Sequence, residues 1–232
     1  MPIMISGIPV EVCKKNIKNM HLYVKPPNGK VTVSAPLTMS DETIERFVRT
    51  KASWVKRQME KFEAQPRQSE RKYISGETLY VWGKQYFLQV EYGSENSLVL
   101  SGDRAILTVR ESSAAGQRDN FIREWYRSIL KKEIKRLLPK WEERTGLVCN
   151  AWQTKYMTTR WGTCNIQKKK IWLNLQLAKK TPDCLEYVIL HELLHFVEKH
   201  HNDVFISLMD KYMPYWREIK RALNGQILDF ME

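Results

Sequence analysis

Apolar and polar positions alternate along the first forty residues and define strands. Val10-Glu11-Val12-Cys13 alternates, as do His21-Leu22-Tyr23-Val24-Lys25 and Lys30-Val31-Thr32-Val33-Ser34. A period of two marks half-buried strands, and Pro26-Pro27-Asn28-Gly29 between the last two is a turn signal, so the pair predicts a hairpin. Ser40-Asp41-Glu42-Thr43 then opens a helix: Ser40 is a good cap, while Thr43 stands third without the acidic side chain of a full capping box. Ile44, Phe47, Val48, Trp54, Val55 and Met59 give that helix a broad apolar face, and it is expected to end near Gln65-Pro66. The polar stretch from Glu63 to Lys72 reads as a linker.

Strand patterns return between Gly76 and Tyr92, and Leu98-Val99-Leu100 and Ala105-Ile106-Leu107-Thr108-Val109 bracket Gly102-Asp103 as another hairpin. Ser112 to Gln117 is a loop and the expected domain boundary. From Arg118 to Arg144, Phe121, Trp125, Ile129, Ile134, Leu137 and Leu138 recur at three- and four-residue steps, which predicts a long helix. Pro139 should bend or break it, and Thr145-Gly146 is a plausible stop. Two short strands are expected, Trp152 to Arg160 and Lys170 to Leu175, joined through residues 165–169. Val204 to Leu223 completes the chain as a helix interrupted at Met213-Pro214, and no internal repeat is visible. The expected class is α+β, with a β-rich region carrying one main helix over residues 1–112 and a mostly helical half over residues 118–232.

With 43% hydrophobic and 28% charged residues, the chain reads as globular. Cysteines stand at 13, 149, 164 and 184 with no Cys-x-x-Cys pair, which argues against a disulfide framework and for a reducing, cytoplasmic setting. The first residues lack a basic leader and a long apolar run, so no signal peptide is expected, and no stretch approaches a membrane span. A net charge of +12 favours anionic partners such as nucleotides or nucleic acid, although lysines spread along the chain also suit solvated helix faces.

The candidate chemistry is concentrated. Four of the five histidines lie between positions 191 and 201. His191-Glu192-Leu193-Leu194-His195 places two imidazoles one helical turn apart, where both can reach one metal ion. Glu192, beside the first ligand, is placed to handle a water there without binding the metal itself. The helix around it is well signalled. Thr181 is a candidate N-cap, Pro182 suits the first helical position, Asp183 and Glu186 lie in the first turn, and Leu185, Val188, Ile189 and Val197 form an apolar stripe.

A third ligand requires the helix to end soon after His195 and the chain to fold back, because position 201 is ten residues after His191, about 15 Å along a straight helix. His200 and His201 compete for that role. Asn202 or Asp203 could cap a following helix. A comparable zinc-hydrolase pattern puts glycine at the turn; here the position is Glu198, so another backbone solution is required.

Several further stretches resemble one family. Arg160-Trp161-Gly162-Thr163-Cys164-Asn165, Ile171-Trp172-Leu173-Asn174, Glu186 to His195, His201 with Phe205, and Met213-Pro214-Tyr215-Trp216 together are similar to the YgjP-like metal-dependent hydrolases. This zincin-like group is described as predicted metallopeptidases related to the SprT proteases. Gly29 to Pro36 and Tyr80-Val81-Trp82-Gly83 match the N-terminal part of the same pattern, so the resemblance covers nearly the whole chain. The common form has Ser where this chain has Thr163, and both carry a hydroxyl. The resemblance implies a zincin-like catalytic half, Zn2+ on His191, His195 and His201, and Glu192 as the catalytic residue. Arg160 and Asn174 fall in its matched stretches as candidate substrate-binding residues.

The leading expectation is a zinc metallopeptidase acting on a peptide or protein, with Arg160 or Tyr212 as a donor to the developing oxyanion. The strand ahead of the metal helix could pair its edge with an extended substrate, or serve only as a supporting hairpin. Cys164 is a possible fourth ligand, or simply a small buried residue. Two other readings stand beside this one: zinc-assisted hydrolysis of a nucleotide pyrophosphate, also linked to the family, and a basic nucleic-acid-binding module with structural zinc. The first finds no Walker-type loop, and the second leaves Glu192 without a purpose.

Overall fold

Alternation makes strands where it is found. In the computed structural model, residues 2–25, 29–64 and 71–225 are described, with only the backbone for residues 61–64 and for Gly225. The turn at Pro26–Asn28, the helix end near Gln65-Pro66 and most of the polar linker lie outside the described residues. The chain forms two compact units that divide at residue 69.

In the first unit, β1 (Ile3–Ile5), β2 (Ile8–Lys15), β3 (His21–Lys25) and β4 (Lys30–Pro36) form one sheet in the order β1-β2-β4-β3. β2 and β4 run parallel, and β3 and β4 form the expected antiparallel pair. Two helices cover the sheet where one was expected: α1 (Asp41–Thr50) and α2 (Ala52–Ala64), separated at Lys51. Ser40 caps α1, accepting from the Thr43 amide at 3.3 Å, and its hydroxyl meets the Thr43 hydroxyl at 2.8 Å. Ile5, Ile8, Val10, Val31, Val33, Ile44, Val48 and Val55 form the core of this unit.

The second unit begins with β5 (Thr78–Val81), β6 (Lys84–Tyr92), β7 (Ser97–Ser101) and β8 (Arg104–Val109), ordered β5-β6-β8-β7. β6 and β8 run parallel between two antiparallel pairs. The order and the strand directions are those of the first sheet. The chain thus repeats a topology that its sequence does not advertise, because a sheet needs only matching burial patterns and not matching residues.

α3 (Ala115–Thr145) follows, and it runs through Pro139 without a break. Leu137, Leu138 and Trp141 are buried on either side of the proline, so packing outweighs the one hydrogen bond lost there. The buried line in the first half is Ile122, Tyr126 and Leu130, one residue later than the line expected through Phe121, Trp125 and Ile129, which are half-buried. Gly146 ends the helix in the left-handed conformation at φ 71°. The stretch 112–117, expected as a loop and the domain boundary, lies inside this unit, and α3 already begins within it at Ala115. On either side of it, Tyr73 donates to Asp119 at 2.8 Å, Arg118 to the Tyr73 carbonyl at 3.1 Å, and Tyr126 to the Tyr80 carbonyl at 2.6 Å.

A third sheet contains three strands where two were expected: β9 (Ala151–Lys155), β10 (Gly162–Asn165) and β11 (Lys170–Asn174), in the order β10-β11-β9. The β10–β11 hairpin turns through residues 165–169, while β9 lies parallel to β11. A short 3-10 turn over Leu175–Lys179 leads into α4 (Pro182–Leu194), followed by α5 (Asp203–Tyr212) and α6 (Trp216–Gly225). The Trp82 and Gly83 amides donate to the Ala178 and Lys179 carbonyls at 2.9 and 3.2 Å, which fixes the entry to α4. Among the described residues, no helix is long and apolar enough to cross a membrane.

Candidate metal centre

α4 is buried nearly all round. Cys184, Leu185, Tyr187, Val188, Ile189, Leu190, Leu193 and Leu194 are all covered, because α3, α5, α6, β10 and β11 surround the helix. The expected single stripe is therefore a stripe only in part, as fits a central helix. Val197 lies beyond the helix end and is exposed. Thr181 takes the N-cap position, but its hydroxyl meets Cys184 Sγ at 3.3 Å and caps no amide.

His191 and His195 stand one turn apart, and the helix closes at Leu194. The Val197 and Glu198 amides both donate to the Leu194 carbonyl at 3.0 Å, which turns the chain back. Glu198 is not among the residues with positive φ, so the turn has no need of glycine. The Glu198 carboxylate accepts from the His200 amide at 2.9 Å and is also bonded by Asn202; these bonds hold its pKa below the usual carboxylate range. Asn202 in turn caps α5, accepting from the Phe205 amide at 3.1 Å.

These ties return His201 to the helix. Its Nε2 lies 3.0 Å from His191 Nε2, and His195 Nε2 lies 3.2 Å from the same atom. His200 is exposed and stays outside this cluster. The Phe205 ring backs all three imidazoles, with its centroid 5.0 Å from His191 and 4.8 Å from both His195 and His201.

The donor set fits a metal ion. Three nitrogens ligating a tetrahedral zinc at its usual bond length lie about 3.3 Å apart, close to the two spacings made to His191, and all three nitrogens lie within 4.8 Å of one another. His195 Nδ1 is 2.9 Å from the Glu198 carbonyl, a bond that needs the proton on Nδ1 and leaves the Nε2 lone pair facing the cluster. Burial holds His191 down at about 3, with the nearby charges of His195, His201 and Lys220 adding to the effect. His201 is lowered by burial and then by His195 and Lys220.

Glu192 follows His191 and packs against β10 at Gly162. It is 5% exposed and bonded by the Cys164 thiol. Burial pushes its carboxyl up to about 7, against the lowering effects of the Cys164 hydrogen bond and the Arg160 charge. The Cys164 thiol is itself pushed up to about 12 by burial, with the Glu192 charge and hydrogen bond adding to it. Cys164 lies outside the histidine cluster and contacts the glutamate.

β10 reaches α4 at Gly162, where only glycine fits. A Cβ there would lie 2.6 Å from Glu192 Oε1 and 2.7 Å from Val188 Cγ1. Gly162→Ala is therefore expected to push Glu192 out of place, lowering turnover at least tenfold and stability by about 1–3 kcal/mol while metal content holds. Turnover, melting and metal analysis of the variant check this, and parent-like turnover would mean that the glutamate side chain tolerates displacement.

Arg160 is exposed on the loop before β10 and acts on Glu192 through its charge. Asn174 is wholly buried. Its amide donates to the Met157 and Arg160 carbonyls at 2.8 and 2.7 Å and accepts from the Gln176 amide at 3.1 Å. It braces the loop that carries Arg160 instead of facing solvent. Tyr212 closes α5, and its carbonyl accepts from Arg144 at 3.3 Å.

Three residues around the cluster were given no role in the sequence reading. Tyr187 precedes His191 by one turn, with ring centroids 5.6 Å apart, and Trp216 stacks on Tyr187 at 6.4 Å. Burial and the Glu192 charge push Tyr187 up to about 12. The four-residue spacing to His191 could have revealed Tyr187; Trp216 and Lys220 arrive only through the packing of α6 on α4.

A family model described as YgjP-like, metallopeptidase domain, matches residues 18–226. The chain belongs to the YgjP-like family. Membership makes it a metal-dependent hydrolase of the peptidase kind. Among solved structures, the metallopeptidase zymogen abylysin of Pyrococcus abyssi is similar at 16% identity and a TM-score of 0.37, over 41% of this chain and 99% of that one. The zymogen jannalysin of Methanocaldococcus jannaschii is similar at 22% identity and a TM-score of 0.33, over 41% and 94%. No curated protein matches the chain.

Proposed function

We propose that this YgjP-like protein is a zinc peptidase in which His191, His195 and His201 hold the metal and Glu192 is the base. The convergence of three imidazole nitrogens, 3.0 and 3.2 Å from neighbour to neighbour, beside a buried carboxylate carries the reading. Zinc held by these three imidazoles would supply Lewis acidity and make water easier to ionise. Glu192 takes a proton from the attacking water and returns it to the departing amine. Its burial keeps it basic enough to accept the proton and close enough to the neutral range to release it. Arg160, beside Glu192, offers the developing oxyanion a charged donor.

The outer strand β10 gives the substrate a place to lie. It is the last strand of its sheet and passes directly over Glu192 at Gly162. An extended peptide pairing with its free edge would bring a backbone carbonyl to the metal centre. A structural metal would need neither an open edge nor a buried base.

Metal-loaded protein incubated with casein and, separately, with a panel of nucleoside triphosphates tests the bond class. Cleavage of casein that stops on chelation and returns with zinc is expected. Hydrolysis confined to the nucleotides would replace the peptide reading with a phosphoanhydride one. Inertness on both, with zinc bound, would favour a structural site.

A further inference from the structure

We infer that the turn between β10 and β11 reads acidic side chains of the substrate peptide, with Lys168 and Lys169 as the contacts; this rests on the peptidase reading above. The positive charge of the chain is concentrated. Residues 144–182 hold eight lysines and arginines and no aspartate or glutamate, and so carry +8 of the net +12. That stretch builds all three strands of the third sheet, including its outer strand β10. Three successive lysines stand where β10 turns into β11. Lys170 is half-buried, with its ammonium 5.0 Å from the Trp172 ring centroid, while Lys168 and Lys169 are exposed. Among the described residues neither of these two is held in an ion pair.

The turn presents them from a fixed frame. Asn165 accepts from the Lys168 amide at 2.8 Å, the Lys169 amide donates to the Ile166 carbonyl at 3.2 Å, and the Asn150 amide donates to the Lys169 carbonyl at 2.9 Å. Lys169 adopts φ 46°, a left-handed conformation that glycine would take without strain. In the sheet alone such a lysine is a cost, both in backbone conformation and in like charge beside Lys168 and Lys170. A carboxylate on the substrate relieves the repulsion. Its place along the peptide follows from the strand. Gly162 lies against Glu192, and Asn165, at the other end of β10, is roughly 10 Å further along. A peptide paired with β10 residue for residue has its cleaved bond near Gly162 and meets the lysines about three to five positions away, on one side only. The outer strand favours a peptide over a nucleic acid, which has no peptide backbone to pair with it.

Peptides of one sequence, with a single glutamate, alanine or lysine moved stepwise along either side of the cleaved bond, test this on the full metal-loaded chain. Glutamate about three to five positions out on one side should raise kcat/KM roughly fivefold over alanine, the size expected of exposed charge pairs. Lys168→Ala with Lys169→Gly should bring the ratio to parity, since glycine suits the φ of position 169 and keeps the turn. Lys168→Glu with Lys169→Gly should invert it in favour of lysine, and added salt should erode the parent's preference. The Glu192→Gln protein, in which turnover is suppressed, should rank the same labelled peptides in the same order by anisotropy. Equal ratios in the parent and the Lys168→Glu, Lys169→Gly double variant, with cleavage continuing, would overturn the inference and leave the peptidase reading intact. So would a single-stranded oligonucleotide that binds the parent more tightly than the acidic peptide and loses that affinity in the double variant, since the turn would then serve nucleic acid. No cleavage of any peptide by the loaded parent would overturn both.

Discussion

Glu192→Gln is expected to lower peptide turnover by about a hundred- to ten-thousandfold while zinc stays bound at the parent level. General acid–base work by a positioned side chain is worth that much in rate. The substitution removes the ability to take a proton and little else. Glutamine keeps the shape that fits beneath Gly162, and its amide oxygen can still accept from the Cys164 thiol. No imidazole is removed, since the cluster consists of His191, His195 and His201. Stability should not fall. Burial raises the Glu192 pKa from 4.5 to about 7, so in the metal-free protein its ionisation opposes folding increasingly as pH rises through that interval. Glutamine cannot ionise, and the metal-free variant should melt no lower than the parent at neutral pH. Turnover, metal analysis and melting on the same samples check all three points. Parent-like turnover with full metal would remove Glu192 from the mechanism.

His191→Ala is expected to strip the metal altogether, and His201→Ala to lose more of it than His200→Ala. His191 is the shared neighbour of the cluster, since both close nitrogen contacts, at 3.2 and 3.0 Å, are made to it. Without it, two imidazoles remain, fewer than the three protein ligands usual in a catalytic zinc site. His201 completes the set from the start of α5, whereas His200 lies exposed outside it. Metal per chain after dialysis against a weak chelator gives the order directly. Full occupancy in His191→Ala would sink the assignment, and a greater loss in His200→Ala would move the third ligand by one position.

The helix carrying His191 and His195 was legible because its information is local. Four residues make one turn, and the Glu beside a ligand stays beside it in any fold that keeps the helix. Pro182 at its start and the break at Met213-Pro214 were equally local, being properties of a ring that fixes φ and removes a donor. The break at Lys51 was hidden because Ile44, Phe47, Val48, Trp54 and Val55 remain apolar across it. Pro139 misled in the other direction: buried Leu137, Leu138 and Trp141 hold the helix through it.

The sequence by itself determined the histidine pair one turn apart, its neighbouring carboxylate, the alternating strands and the cap at Ser40, all set by contacts within a few residues. Only the tertiary structure brought His201, and not His200, to the other two imidazoles, because that depends on how the Glu198 turn returns the chain. Only it set Gly162 against Glu192, buried Asn174 beneath the Arg160 loop, and stacked Trp216 on Tyr187. Those pairs lie thirty, fourteen and twenty-nine positions apart (Gly162 to Glu192, Arg160 to Asn174, Tyr187 to Trp216). No local periodicity reaches so far; only the packing of β10, β11 and α6 around one buried helix brings such residues together.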